Sequence, residues 1–175
     1  MDTALVLTGA PGSGKSSVLQ ALSTLLELEG VPHGAIETEH LGWGLPALSM
    51  QICVEQLACV LALQRDAGRS RFLIAATAED AGELRAVVEA VGAERSLVVL
   101  LSADQEVLAA RLQEREPELW PGKRALIAHA RELAGRLPRI DGVDVIIGTE
   151  GREASGVAGE VRAAMAGAGL LAPTQ

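Results

Sequence analysis

The amino-acid sequence predicts an α/β domain, a five-stranded parallel sheet with helices on both faces. Three observations predict it. Short apolar runs alternate along the chain with longer segments of helical period, which is the sequence pattern of strands joined by helical crossovers. The runs are apolar without a polar alternate face, so each strand is to be covered on both sides. A glycine-rich turn, Gly9-Ala10-Pro11-Gly12-Ser13-Gly14-Lys15-Ser16, separates the first run from the first helical segment.

The elements follow in order. Thr3–Thr8 is apolar enough for a buried strand. Residues 16–29 place Val18, Leu19, Leu22, Leu25 and Leu26 on one helical stripe. Residues 31–37 read as a second strand that ends in the carboxylate of Glu37, and Gly42, Gly44 and Pro46 make an irregular loop after it. Residues 47–67 are expected to be a long helix and 71–77 a third strand. Residues 79–91 carry Leu84, Val87, Val88 and Val91 on one helix side. Residues 96–101 form a fully apolar fourth strand. Residues 103–114 are a helix whose first turn holds Asp104 and Glu106, where the helix dipole favours acids. Pro117, Pro121 and Gly122 break the chain, and residues 123–137 are helical again. Residues 143–147 are the fifth strand and 152–165 the last helix, and the Ala/Gly-rich tail from Ala166 is expected to fray.

With 175 residues, 49% of them hydrophobic, the chain is long enough for one domain, 1–175, with its own core. Aromatic residues are only 2%, so that core is aliphatic. The net charge of −8 argues against a broad nucleic-acid surface, which needs a basic face. The N-terminus opens directly into a strand, so no signal peptide is expected. The uncharged stretch 41–54 is too short to span a membrane and contains Gly44 and Pro46. Cys53 and Cys59 lie in an apolar helical segment, are expected to be buried thiols, and match no metal pattern. The cytoplasm is the expected compartment. Oligomeric state is not readable from the sequence.

The glycine-rich turn has the form G-x-x-x-x-G-K-[ST], a phosphate-binding P-loop. Glycines let the backbone curl until successive N–H groups point inward at phosphate oxygens. The helix that begins at Ser16-Ser17 adds its positive dipole end. Lys15 is to reach the β- and γ-phosphates of ATP, and the Ser16 hydroxyl is to take a place on Mg²⁺. The chain has only two lysines, Lys15 and Lys123, against thirteen arginines. Lysine therefore stands where the loop needs a compact ammonium on a thin stem.

Two further groups of residues point to the same chemistry. Glu37-Thr38-Glu39-His40 sits at the C-terminal edge of the second strand, the edge at which open α/β sheets bind ligands. A carboxylate there can hold Mg²⁺ through water or take the proton of an attacking hydroxyl. The alternative is a solvated acidic loop. Trp43 is either the wall of an acceptor pocket or plain packing. Arg111 and Arg115 lie four apart on one helix face, next to the break and to Lys123 and Arg124, as a mobile cationic lid at about 113–125 requires. The alternative for Arg111 is a surface pair with Asp104 or Glu114. No acid stands at Ala76-Thr77, where a Mg²⁺-binding aspartate is expected, and Glu79 and Asp80 read as caps of the next helix.

On these residues the chain resembles the P-loop small-molecule kinases, the group of shikimate kinase, gluconate kinase, chloramphenicol phosphotransferase and the adenylate-kinase-like enzymes. The layout matches over nearly the whole chain. The group's phosphate loop corresponds to Gly9, Gly12, Gly14, Lys15 and Ser16, its acidic pair after the second strand to Glu37 and Glu39, and its arginine pair at the lid to Arg111 and Arg115. The resemblance implies the three-layer P-loop NTPase architecture, sheet order 2-3-1-4-5 and a short lid. The chain departs from nucleoside monophosphate kinases, which carry Asp-Gly-aromatic-Pro-Arg after the third strand, and from shikimate kinases, which carry a glycine triplet there. Here the residues are Ala76-Thr77-Ala78-Glu79-Asp80.

The expected activity is ATP-dependent transfer of the γ-phosphate to a hydroxyl of a small-molecule acceptor. Lys15, Glu37, Arg111 and Arg115 are the expected catalytic residues, and Glu37, Glu39, His40, Trp43 and Arg124 the expected acceptor-binding ones. Ser16 and Glu37 are the expected metal side chains. Two carboxylates at the acceptor wall favour a neutral or amino-bearing hydroxyl compound. The competing readings are a nucleotide-binding switch or slow NTPase that regulates a partner, and a nucleotide kinase.

Overall fold

The computed structural model describes residues 1–171. Five strands, β1 (Thr3–Thr8), β2 (Gly34–Glu37), β3 (Arg71–Ala75), β4 (Arg95–Ser102) and β5 (Val145–Gly148), form one parallel sheet in the order β2-β3-β1-β4-β5. The helices are α1 (Lys15–Leu28), α2 (Thr38–Leu41), α3 (Met50–Asp66), α4 (Ala81–Val91), α5 (Gln105–Arg115), α6 (Lys123–Arg136) and α7 (Ala154–Gly167). The expected fold class and strand order are thus the observed ones.

Strand β1 is buried along its full length, and its side chains divide between the two faces. Leu5 and Leu7 join Leu22 and Leu26 of α1 and Val161 and Met165 of α7 in one core. Ala4 and Val6 join Leu57 and Leu61 of α3 and Leu84 and Val87 of α4 in a second. A third core, with Leu108, Leu112 and Leu133, packs α5 and α6 over the end of β4. Each fully buried leucine contributes roughly 2 kcal/mol by removal from water.

Several boundaries differ from the sequence expectation. Strand β2 begins at Gly34, because the Val31 N–H donates to Leu26 O in closing α1 and Pro32 has no N–H to give. The short helix α2 follows β2 directly, where a loop was expected. Helix α3 starts at Met50 because Ser49 caps it, accepting from the Ile52 N–H at 3.4 Å. Asp80 alone caps α4, accepting from the Gly82 and Glu83 N–H groups, so Glu79 is left for other work.

Two expectations fail outright. Cys53 is only half-buried and Cys59 is exposed, because α3 turns Leu57 and Leu61 inward and leaves its other faces to solvent. The tail does not fray through the described residues. After Gly169, at φ 68°, Leu170 and Leu171 pack into the α1–α7 core, and Arg71 Nε donates to Leu170 O at 3.2 Å. The remainder of that expectation, residues 172–175, lies outside the described residues. Among the described residues no helix is long and apolar enough to cross a membrane.

Candidate functional site

The P-loop joins β1, the central strand, to α1 at the C-terminal edge of the sheet. At Gly9, φ is 149° and a Cβ would lie 2.5 Å from Leu101 O, so only glycine fits. Gly14, at φ 95°, is the N-cap of α1, and no side chain caps that helix. The first-turn N–H groups of a helix have no intrahelical partner. Here they face a loop whose Lys15 Nζ reaches across to Gly9 O at 2.9 Å. Ser13 Oγ is buried with no hydrogen-bond partner among the described residues. A glycine-lined cradle, an uncapped helix start and one lysine make a donor set that fits a phosphate chain.

The two acids at the end of β2 and the start of α2 have different partners. Ser16 Oγ donates to Glu37 Oε2 at 2.6 Å. Glu39, on α2, lies 3.7 Å from Lys15 Nζ and accepts a hydrogen bond from the Thr77 hydroxyl. Burial pushes the Lys15 ammonium below its ordinary value of 10.5, and Glu39 opposes that shift. Burial pushes the Glu39 carboxyl up, but Lys15, Thr77 and Arg115 outweigh it and hold the group below its ordinary value of 4.5.

A cavity of ≈ 360 Å³ brings these elements together. Pro11, Gly12, Gly14, Lys15, Ser16 and Ser17 form its floor, Glu39, Thr77 and Glu79 its wall at the ends of β2 and β3, and Arg115, Leu126 and His129 its lid side. On the other side of the loop, a cavity of ≈ 300 Å³ is lined by Gly12, Ser13, Val18, Arg111, Arg115, Thr149, Arg152 and Val157, among others. A third, of ≈ 170 Å³, opens behind Glu39 and Thr77, between α3 and α4.

The two arginines of α5 separate. Arg111 donates through Nη1 to Gly12 O (3.2 Å) and Thr149 Oγ1 (3.0 Å) and through Nη2 to Thr149 O (2.8 Å). It pairs with neither Asp104 nor Glu114 and ties the P-loop to the end of β5. Arg115 lines both of the cavities beside the loop, and its ion-pair partner among the described residues is its neighbour Glu116, at 2.5 Å. Lys123 is buried in the lid turn, with Nζ donating to Glu116 O at 2.9 Å and to Glu118 Oε2 at 2.8 Å, so it staples the turn.

Other expected acceptor residues are not brought to the cavity. Arg124 lies in the groove between α5 and α6. His40 and Trp43 stack on each other, with ring centroids 5.8 Å apart, and both are exposed.

Sequence reasoning missed Thr77, Thr149 and His129, and it read Glu79 first as a helix cap. Thr77 and Thr149 stand one or two residues past the ends of β3 and β5, so the rule that ligands bind beyond strand C-termini could have flagged them. His129 lies in mid-helix, and nothing local marks it. Packing of α6 brings its Nε2 to 2.8 Å from Glu79 Oε1.

A parallel sheet of this order, with helices on both faces and a glycine-rich loop after its central strand, is the architecture of the P-loop small-molecule kinases. Solved structures of that group are similar to the chain over nearly its whole length. A gluconokinase from Sinorhizobium meliloti 1021 is 25% identical, with 97% of this chain and 93% of that chain covered and a TM-score of 0.62. An APS kinase from Mycobacterium tuberculosis, in complex with AMPPNP and APS, is 21% identical, with 93% and 96% covered and a TM-score of 0.60. A shikimate kinase from Acinetobacter baumannii, in complex with shikimate, is 18% identical, with 98% and 97% covered and a TM-score of 0.56. No protein-family model and no curated relative matches the chain.

Proposed function

We propose that the protein transfers the γ-phosphoryl group of ATP to a hydroxyl of a small-molecule acceptor in the cytoplasm. One observation carries this reading. A single cavity joins Lys15 and Ser16 of the P-loop, Glu39 and Thr77 at the ends of β2 and β3, and Arg115 of the lid. The loop's N–H donors and lysine, a carboxylate and a guanidinium thus surround one space. The kinase structures that share the fold support it.

In this reading the loop N–H groups and Lys15 hold and neutralise the terminal phosphates, and the nucleoside extends into the cavity beside Arg111, Thr149 and Arg152. Ser16, with Glu37 through a bound water, would hold Mg²⁺, which supplies charge neutralisation between the phosphates. Glu39 orients the acceptor hydroxyl. The hydroxyl oxygen forms the new bond to the γ-phosphorus, the bond to the ADP oxygen breaks, and the acceptor proton passes to Glu39. A carboxylate held below its ordinary value is a weak base, so its main contribution is orientation, and it takes the proton late. Arg115 turns from Glu116 to the transferring group. Positioning and fixed charge supply most of the acceleration.

The test is ADP release from Mg-ATP with and without pools of small hydroxylated metabolites and antibiotics, with Lys15→Ala as the blank. A pool that raises the rate, with no response in Lys15→Ala, is the expected result. The absence of an acid at Ala76-Thr77 favours a second reading, a slow NTPase that acts as a switch. A slow rate that no pool alters, lost in Lys15→Ala, selects it.

A further inference from the structure

The ≈ 170 Å³ cavity behind Glu39 and Thr77 has two chemically distinct ends. Glu39 and Thr77 line both it and the phosphate cavity, so they are the shared threshold. The rest of the lining is Thr38 of α2, Met50, Cys53 and Val54 of α3, Val87 of α4 and Leu48 from the loop before α3. An apolar cavity of roughly 150 Å³ holds one benzene-sized ring, and the volume here is comparable. The lining contains no lysine, arginine or histidine.

The basic side chains nearby lie outside this cavity, Arg115 among them in the adjoining P-loop cavity. Lys15 serves the P-loop and Glu39, while His129 and Arg136 lie on Glu79, at 2.8 Å and 3.7 Å. An acceptor carboxylate or phosphate would find no cation of its own in this cavity and would face Glu39. Leu48 of the lining belongs to a segment with several exposed apolar side chains. Trp43, Leu45, Leu48 and Ile52, all exposed, fall in the one stretch 43–52 that leads into α3.

We infer that the acceptor is an uncharged alcohol whose apolar body, about one ring in size, fills this cavity with its hydroxyl at Glu39 and Thr77. The inference rests on the phosphotransfer reading for its direction, but binding can be tested apart from turnover. The probes are benzyl alcohol and para-hydroxymethylbenzoate, matched in ring and hydroxyl and different in charge. Each is titrated into the ADP-bound protein while the methyl NMR resonances of Met50, Val54 and Val87 are followed.

Benzyl alcohol is expected to shift these resonances saturably, and the benzoate to bind at least about tenfold more weakly, because its carboxylate, across the ring from the hydroxyl, would be buried unpaired against the apolar walls. Cys53→Phe, which fills the cavity, is expected to abolish the shifts. Leu48→Asp, on a partly exposed loop, serves if Cys53→Phe fails to fold, and it is expected to weaken binding by at least about tenfold. Equal or tighter binding of the benzoate, or absence of shifts at these methyls, overturns the inference. So does unchanged binding in the folded variants. ADP release stimulated only by acceptors that leave these methyls unmoved overturns it while the kinase reading stands. Saturable methyl shifts with no acceptor-dependent ADP release keep the cavity assignment and remove the kinase reading.

Discussion

Replacing Arg111 with methionine separates a positioning role from a ligand contact. The side chain makes three hydrogen bonds, to Gly12 O and to both oxygens of Thr149, and so spans α5, the P-loop and the end of β5. Methionine keeps much of the aliphatic stem and removes all three. Hydrogen bonds from charged donors are worth more than neutral ones, but one Nη1 is shared between two acceptors and the group is half-exposed. The net loss is on the order of 2–4 kcal/mol. In a domain of this size that lowers Tm by about 5–15 °C. The assay is reversible thermal unfolding with and without ADP, together with the Kd for ADP. A lower Tm without nucleotide and a weaker Kd are both expected, since Gly12 O and Thr149 lose their anchor. An unchanged Tm in the nucleotide-free protein would refute the positioning role and return Arg111 to the nucleotide as a direct contact alone.

The neighbouring arginine is expected to behave oppositely. Arg115→Ala should change Tm little, because the Arg115 side chain is largely exposed and its partner Glu116 is its chain neighbour, yet slow turnover by at least about 10²-fold, the usual cost of one transition-state donor. Unchanged turnover would remove Arg115 from the mechanism. Glu37→Gln should raise the Mg²⁺ concentration needed for half-maximal rate, whereas Glu39→Gln should lower kcat by about 10²-fold or more with little change in that requirement. Reversed results would exchange the two roles. Nucleotide affinity should weaken as pH rises through the lowered Lys15 value, beginning below the ordinary 10.5, because only the protonated lysine attracts phosphate. ADP titrations across that range, with Lys15→Ala as a flat reference, check it. A decline that begins only at the ordinary lysine value would contradict the burial effect.

The local sequence determined what local physics can carry. Continuous apolar runs and helical stripes marked five strands and six of the helices, and glycines with a single lysine marked the phosphate loop, because each signal lies within a few residues of chain. The adjacency of Glu37 and Glu39 to a strand end was legible for the same reason. Their division of labour was not. It depends on Ser16 meeting Glu37 and Thr77 meeting Glu39 across 21 and 38 residues.

Tertiary packing also decided the fate of Arg111, which reaches Thr149 rather than an acid on its own helix, and of Lys123, which is buried within the lid turn. It drew Leu170 and Leu171 into a core that their Ala/Gly-rich surroundings did not announce. It set His129 beside Glu79 with no local signal at all. The cavity beside Glu39 and Thr77 exists only where α3 and α4 meet, so its size and the chemistry of its lining belong to the assembled fold. Periodicity reports which face of an element is buried, and only the assembled chain reports what lies opposite it.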